Sequence, residues 1–149
     1  MIKPDDATLN KELRRDEGVE RMPYIDTVGV RTVGVGHNMK AKPLPVDWKF
    51  PLTDAQVDLL LSQDLADVFE SLNKRLPWWA TLTHGRQRCL ANMAFNLGID
   101  GLMTFTNTLR AVKEGRYADA ASGMRASKWA KQVGKRSERM CDLMLGQVL

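Results

Sequence analysis

The spacing of apolar residues predicts a mostly helical chain with one short β-region near its N-terminus. The first helix is expected to begin after Asp5 or Asp6, either of which can cap it, and to end near Glu17. Its apolar positions recur four residues apart within a strongly charged stretch. Gly18 is a typical residue for the end of such a helix.

The pattern changes to period two directly after this helix. The segment YIDTVGVRTVGVGH, residues 24–37, alternates Val and Thr with polar residues and glycines. It therefore predicts a small antiparallel hairpin or a three-stranded sheet. The next segment, KAKPLPVDWKFP, contains three prolines within twelve residues and predicts a loop.

Helical periodicity returns at Thr53 and Gln56, which form the Thr-x-x-Gln pattern of a capping box. This box predicts a long helix over about residues 53–75. Thr83 is expected to cap the next helix, and Gly98 is expected to end it. Shorter helices are predicted near residues 101–103, 107–114, 117–124 and 135–148.

Together these elements predict an α+β fold that is predominantly α. We expect a single domain over residues 1–149 that contains two lobes. The first lobe, at about 13–52, carries the β-hairpin, and the second, at about 77–149, is helical. The long helix at about 53–75 joins them.

Composition narrows the choice of partner and compartment. The net charge of +4, from 22 Lys and Arg against 18 Asp and Glu, is compatible with nucleic acid, an anionic membrane or a cell wall. No apolar run approaches the roughly 20 residues that span a bilayer, and the N-terminus has no apolar secretory core. We therefore expect synthesis in a cytoplasm without export by a signal peptide.

The two cysteines, Cys89 and Cys141, lack the spacing of a redox or zinc motif. Together with two histidines they would make a poor zinc site. We expect buried, reduced thiols, no metal and no cofactor.

Three side chains beside the predicted hairpin are candidates for acid–base chemistry. Glu17 is expected at the negative end of a helix dipole, which favours the protonated carboxyl that a general acid needs. Asp26 lies in a polar turn where it can stay ionised, and the hydroxyl of Thr32 can hold a water. An acid, a second carboxylate and a water holder are the parts of an inverting glycosidase. Asp16 and Glu20 are interpreted as solvated charges.

Six segments occur in one order along the chain: LRRDEG, YIDTVGVRTVGVGH, NMAFNLG, FTNTLR, SKW and GKRSER. Together they resemble the phage-type lysozymes of the T-even phage lysozyme family, from about Leu13 to Arg139. The resemblance implies a lysozyme-like fold and a muramidase. Such an enzyme hydrolyses the β-1,4 bond between N-acetylmuramic acid and N-acetylglucosamine in peptidoglycan.

The resemblance also implies roles for individual residues. Glu17 would be the proton donor, Asp26 the second carboxylate and Thr32 the residue that positions water. Arg136 falls where the family has an Arg that contacts the catalytic Glu. His37 is expected to form a structural salt bridge with Asp64. The residues expected to bind the glycan are Asn38, Phe95, Asn96, Thr108 and Gly123, although Gly123 has no side chain to offer.

The resemblance further implies that the partner is the glycan strand of peptidoglycan rather than nucleic acid. A lytic enzyme without a signal or membrane anchor would need a holin to reach the wall after release, and we expect a monomer. Two alternatives stay open. One is a lytic transglycosylase acting on the same bond, and the other is a catalytically inactive wall-binding or virion structural module.

Overall fold

The computed structural model describes residues 2–147. This part of the chain contains seven α-helices, one 3₁₀ helix and one three-stranded sheet, which confirms the predicted α+β, predominantly α fold class. The N-terminal elements are α1 (Ala7–Glu17), β1 (Glu20–Ile25), β2 (Arg31–Gly34) and β3 (His37–Asn38). They are followed by α2 (Asp54–Arg75), the 3₁₀ helix (Pro77–Thr81), α3 (His84–Met103), α4 (Thr106–Lys113), α5 (Tyr117–Arg125), α6 (Lys128–Val133) and α7 (Lys135–Met144).

Two compact units divide the chain, and the boundary between them lies inside α2, after residue 67. We call residues 3–67 the N-terminal unit, and residues 68–147 with Ile2 the C-terminal unit. The assignment of residues 1–149 to one domain with two lobes stays a prediction. Positions 1, 148 and 149 of that range lie outside the described residues.

The first helix has the predicted bounds. The side chain of Asp6 caps α1 by accepting a hydrogen bond of 2.9 Å from the backbone N–H of Leu9. Gly18 ends α1 with a φ of +77°, a conformation that glycine adopts without strain. The apolar face, Leu9 and Leu13, is fully buried.

The period-two segment forms an antiparallel sheet in the order β1-β2-β3. In its register Thr32 pairs with Tyr24 on one side and with Asn38 on the other. The first strand begins at Glu20, before the alternating pattern, and its pairing is irregular between Glu20 and Tyr24. This exposed, charged start of β1 carries no apolar alternation, so the pattern did not reveal it.

Residues 39–53 form turns and irregular structure, as the prolines predict. The capping box at the start of α2 is confirmed, because both of its reciprocal hydrogen bonds are present. Gln56 Oε1 accepts a bond of 2.9 Å from the N–H of Thr53, and Thr53 Oγ1 accepts one of 3.1 Å from the N–H of Gln56.

The C-terminal unit differs from prediction at its helix ends. Thr83 precedes α3, but its side chain makes no capping hydrogen bond. Gly98, with φ +75° and ψ 160°, interrupts α3 rather than ending it. Residues 128–133, for which no helix was predicted, form α6, which is capped by Ser127. The last helix, α7, ends at Met144, and Val148 of the predicted range lies outside the described residues.

The core of the C-terminal unit includes both cysteines, which are free and buried as predicted. Trp79 is fully buried, and its indole N–H donates to the carbonyl of Gln87 over 3.1 Å. Burial raises the pKa of the Cys141 thiol. Within residues 2–147, none of the helices combines the length and the apolar character needed to cross a membrane.

Candidate functional site

The three candidate catalytic residues all lie in the N-terminal unit, where the sheet and the end of α1 position them. Glu17 is the last residue of α1 and is partly buried. Gly36 approaches it closely: a Cβ added at Gly36 would lie 2.9 Å from Glu17 Oε1 and 3.2 Å from its Cδ. Gly36 also has a φ of +60°, so both backbone conformation and space require glycine beside this carboxyl.

Asp26 follows β1 and is held by the turn that leads to β2. Its Oδ1 accepts hydrogen bonds from the backbone N–H groups of Val28, at 3.0 Å, and Val30, at 2.8 Å. Its own backbone N–H donates to the carbonyl of Val30 over 2.9 Å. Among residues 2–147, no protein group bonds to the second carboxylate oxygen, Oδ2, which stays available as an acceptor.

Thr32 is buried on β2 and is linked to Asp26 through the same residue. Its hydroxyl donates to the carbonyl of Val30 over 2.9 Å, so its oxygen keeps lone pairs for an incoming donor such as water. The main-chain groups of Val30 therefore fix Asp26 and Thr32 relative to each other. The structure brings these two predicted residues together.

Tyr24 belongs to the same surface, although the sequence did not suggest it. Burial raises the pKa of its phenol, and the negative charges of Glu17, Glu20 and Asp26 raise it further. Tyr24 therefore lies within electrostatic range of both candidate catalytic carboxylates. Its position two residues before Asp26, on the strand opposite Thr32, was the signal that could have found it.

His37 and Asp64 form the predicted contact in the N-terminal unit. His37 Nδ1 lies 2.7 Å from Asp64 Oδ2, and His37 Nε2 lies 2.9 Å from the carbonyl oxygen of Lys42. Both partners are acceptors when Asp64 is ionised, so the arrangement suits the doubly protonated imidazolium ring. Lys42 also forms an ion pair with Asp67 and lies 3.6 Å from Asp64 Oδ1.

The His37 ring is almost completely buried, at 4% exposure of its side chain. Burial lowers its pKa, but the hydrogen bond and charge of Asp64 and the Lys42 carbonyl outweigh that effect and leave it raised. His37 is thus an ion-pair partner of Asp64. In the described part of the chain, no group of three or more His, Cys, Asp and Glu side chains is arranged to hold a metal ion.

Asn38, the N-terminal residue expected to bind glycan, lies at the end of β3 and is exposed. Its side-chain oxygen accepts hydrogen bonds from the backbone N–H groups of Lys40, at 3.0 Å, and Ala41, at 2.9 Å. The amide NH₂ group is therefore the part of Asn38 that is left for a ligand.

The other four residues expected to bind glycan lie in the C-terminal unit. Asn96 is exposed, but its Oδ1 accepts a 2.7 Å hydrogen bond from the indole N–H of Trp129. Phe95, next to it, is partly buried in α3. Asn96 can therefore offer a ligand its NH₂ group, while its oxygen is used within the unit.

Thr108 and Gly123 are in direct contact. A Cβ added at Gly123 would lie 2.5 Å from Thr108 Oγ1, so the hydroxyl occupies the space that a side chain would need. Both residues line a cavity of about 530 Å³, together with Phe105 and Trp129. Phe95 and Asn96 are not part of this lining, but a hydrogen bond links Asn96 to Trp129, which is part of it.

Arg136 is buried near the start of α7 in the C-terminal unit, with 7% exposure, and is not a surface residue. Its Nε donates to Asn92 Oδ1 over 2.9 Å, and Asn92 is itself 1% exposed. The contact between Arg136 and Glu17 stays a prediction.

Comparison with known proteins gives a consistent set of similarities. A model of the phage lysozyme family matches residues 14–142. The pre-baseplate central spike protein Gp5 of enterobacteria phage T4 is 29% identical over 97% of this chain, which spans 31% of that protein. Probable T4-type lysozyme 1 of Dictyostelium discoideum is 26% identical, and the match covers 93% of this chain and 94% of that protein. The SAR-endolysin of enterobacteria phage P21 is 31% identical over 80% of this chain and 67% of its own length.

Proposed function

Because the chain belongs to the phage lysozyme family, we propose that it is a muramidase that hydrolyses the β-1,4 bond between N-acetylmuramic acid and N-acetylglucosamine. The family supports the coarser function, a lysozyme-type glycosidase that degrades peptidoglycan. The bond and the roles of individual residues belong to the proposal. They rest on the geometry of the N-terminal unit.

Glu17 is the general acid in this proposal. It protonates the glycosidic oxygen as the bond to the anomeric carbon breaks, and the leaving sugar departs with a free hydroxyl group. Gly36 packs directly beside the carboxyl, which restricts its positions. A restricted acid can remain aimed at one oxygen of a bound glycan.

Asp26 and Thr32 activate and position the attacking water. Asp26 Oδ2 accepts one proton of the water, and Thr32 Oγ1 accepts a hydrogen bond from the other. The link through Val30 holds both oxygens in one arrangement, and this is the observation that carries the proposal. Attack from the face opposite the leaving group inverts the anomeric configuration.

Asn38, Phe95, Asn96, Thr108 and Gly123 remain proposed glycan-binding residues. Their support differs. Thr108 lines the large cavity, and Asn38 and Asn96 each keep an NH₂ donor. Gly123 acts by making room for the Thr108 hydroxyl.

The test compares Glu17→Gln with Glu20→Gln, a change of the same charge three residues away. We expect the first variant to fold normally and to lose at least about 10²–10⁴-fold in clearing of purified cell walls, and the second to stay near wild type. Activity of Glu17→Gln at the wild-type rate would remove Glu17 from the mechanism.

Analysis of the products separates the two enzymatic alternatives. A muramidase leaves a reducing sugar, and proton NMR should show the inverted anomer first. A 1,6-anhydro end would establish a lytic transglycosylase instead. Asp26 and Thr32 favour hydrolysis, since a transglycosylase needs no water.

The similarity to a phage spike protein keeps a virion role open as a second candidate. A virion structural module would bind cell walls without clearing them, so the same assay distinguishes it. Dependence on a holin, action on the wall after release, and a monomeric state stay predictions.

A further inference from the structure

A loop between β3 and α2, residues 39–50, exposes two large apolar side chains. We call it the Pro-rich loop. Val46 is completely exposed and Phe50 is 37% exposed. Leu44 and Trp48 of the same loop are partly buried. Exposed apolar side chains grouped on one loop mark a contact surface more often than scattered ones do.

The loop has a defined shape. The N–H of Trp48 donates to the carbonyl of Pro45 over 3.1 Å, which closes a turn around the exposed Val46. At the start of the loop, the carbonyl of Lys42 binds the buried His37 ring, and Lys42 pairs with Asp67 on α2. These contacts reduce the conformational entropy that the loop loses when it binds a partner.

The charged residues around the loop are mainly cationic. Arg31, Lys40 and Lys49 are exposed, and none of them pairs with a carboxylate within residues 2–147. The loop itself contains a single acidic residue, Asp47. Lys42 is not included among these cations, because Asp64 and Asp67 neutralise its charge.

A cavity of about 350 Å³ brings two of these cations together with apolar residues of the loop. Arg31 and Lys40 line it together with Met39, Leu44, Trp48 and Phe50, and no acidic side chain contributes to its lining. Cations beside exposed aliphatic and aromatic groups match the two layers of a membrane surface. Anionic headgroups attract the cations, while apolar side chains enter the region at the base of the headgroups.

We propose that the Pro-rich loop docks this protein on an anionic phospholipid surface. Val46 and Phe50 enter the interface, and Arg31, Lys40 and Lys49 lie among the phosphates. The docking is peripheral and reversible, since one short loop contributes too little apolar surface for stable insertion. This inference is independent of the proposed catalytic function.

The experiment measures co-sedimentation of the whole chain with phosphatidylcholine vesicles, with and without phosphatidylglycerol. We expect binding only to vesicles that contain phosphatidylglycerol, and binding that weakens as salt is raised. Lys40→Gln and Lys49→Gln should each lower the partition coefficient about fivefold. Val46→Asp should lower it at least about tenfold.

Leu145→Asp is the matched control, because Leu145 is 39% exposed in the C-terminal unit and the substitution adds the same charge. The partition coefficient of this variant should stay within about fivefold of the wild-type value, which is the effect expected for one charge. Val46→Asp should clear lipid-free peptidoglycan as wild type does, since its side chain is fully exposed. Equal binding to both kinds of vesicle, no binding to either, or a Val46→Asp variant that binds like wild type would each overturn the proposal.

Discussion

The N-terminal and C-terminal units hold their candidate site residues in different ways. In the N-terminal unit, backbone groups fix Asp26 and Thr32 and leave oxygen atoms available for a ligand. In the C-terminal unit, Asn96 and Arg136 direct atoms of their side chains to Trp129 and Asn92 instead.

From this difference we expect the polar residues of the first unit to serve catalysis and those of the second to serve stability. Chemistry requires side chains that keep reactive atoms unoccupied, and a β-turn can hold them without using other side chains. Side chains within a packed helical unit satisfy each other, because an unsatisfied buried polar group costs about 1–3 kcal/mol. Substitutions of Asp26 and Thr32 should therefore affect turnover, and substitutions of the buried polar residues Asn92 and Arg136 should affect stability.

The largest expected effect tests the first half of this comparison. Asp26→Asn should lose about 10²–10⁴-fold in turnover, because an amide cannot accept the proton of the attacking water. The amide oxygen can still accept from Val28 and Val30, so the thermal midpoint should change little. Turnover on purified walls and calorimetry provide the two readings. A large fall in the thermal midpoint with little loss of turnover would show that Asp26 stabilises the fold and does not take part in catalysis.

Asn92→Ala tests the second half. Arg136 Nε would lose its acceptor in a buried site, which should cost about 1–3 kcal/mol of unfolding free energy. For a chain of this size that corresponds to a midpoint lower by several degrees. Urea unfolding at constant pH measures the loss. A variant as stable as wild type would show that the hydrogen bond between Arg136 and Asn92 does not stabilise the C-terminal unit.

Gly36→Ala and Gly34→Ala form a matched pair that sharpens the comparison within the N-terminal unit. Both glycines have positive φ, +60° and +67°, so alanine should cost about 1–2 kcal/mol at each. Only at Gly36 does the new Cβ meet Glu17, whereas at Gly34 it lies 3.7 Å from Leu60 Cδ1. Turnover should therefore fall in Gly36→Ala and survive in Gly34→Ala. An equal loss of turnover in both variants would show that Gly36 has no specific role in catalysis.

The smallest expected effect concerns His37, which pairs with Asp64 in the N-terminal unit. Its raised pKa means that its pairing with Asp64 contributes fully below the unfolded pKa, near 6.5. The contribution then fades as pH rises through the folded pKa. The difference in unfolding free energy between wild type and Asp64→Asn should therefore shrink as pH increases. A difference that stays constant with pH would mean that His37 does not titrate in this pair.

Much of the fold could be predicted from local signals. The Asp6 cap, the Gly18 stop and the Thr53–Gln56 capping box each depend on neighbouring residues, and each is confirmed. The short helix α6 was missed, because its few apolar residues are spread among lysines and polar residues. Gly98 was predicted to end a helix, but the chain resumes helical structure after it.

Residues whose burial or neighbours depend on the folded structure could not be predicted. Asp16 was interpreted as a solvated charge, but its side chain is completely buried and pairs with Arg15 over 3.1 Å. Helical spacing does not say which charged residue turns inward. Tyr24 was missed for the same reason, because only the folded sheet brings it near Glu17 and Asp26.

The hydrogen bonds of Val30 set a limit for protein engineering. The turn at residues 27–29 is short and exposed, and such a turn is normally an inviting place for a peptide tag or an inserted domain. Here Asp26 and Thr32 both form hydrogen bonds to main-chain groups of Val30. The number of residues between them therefore determines how their side chains are positioned. Even one added residue would alter the spacing of the two oxygens proposed to hold water. Fusions that aim to keep this enzyme active should leave this turn at its present length.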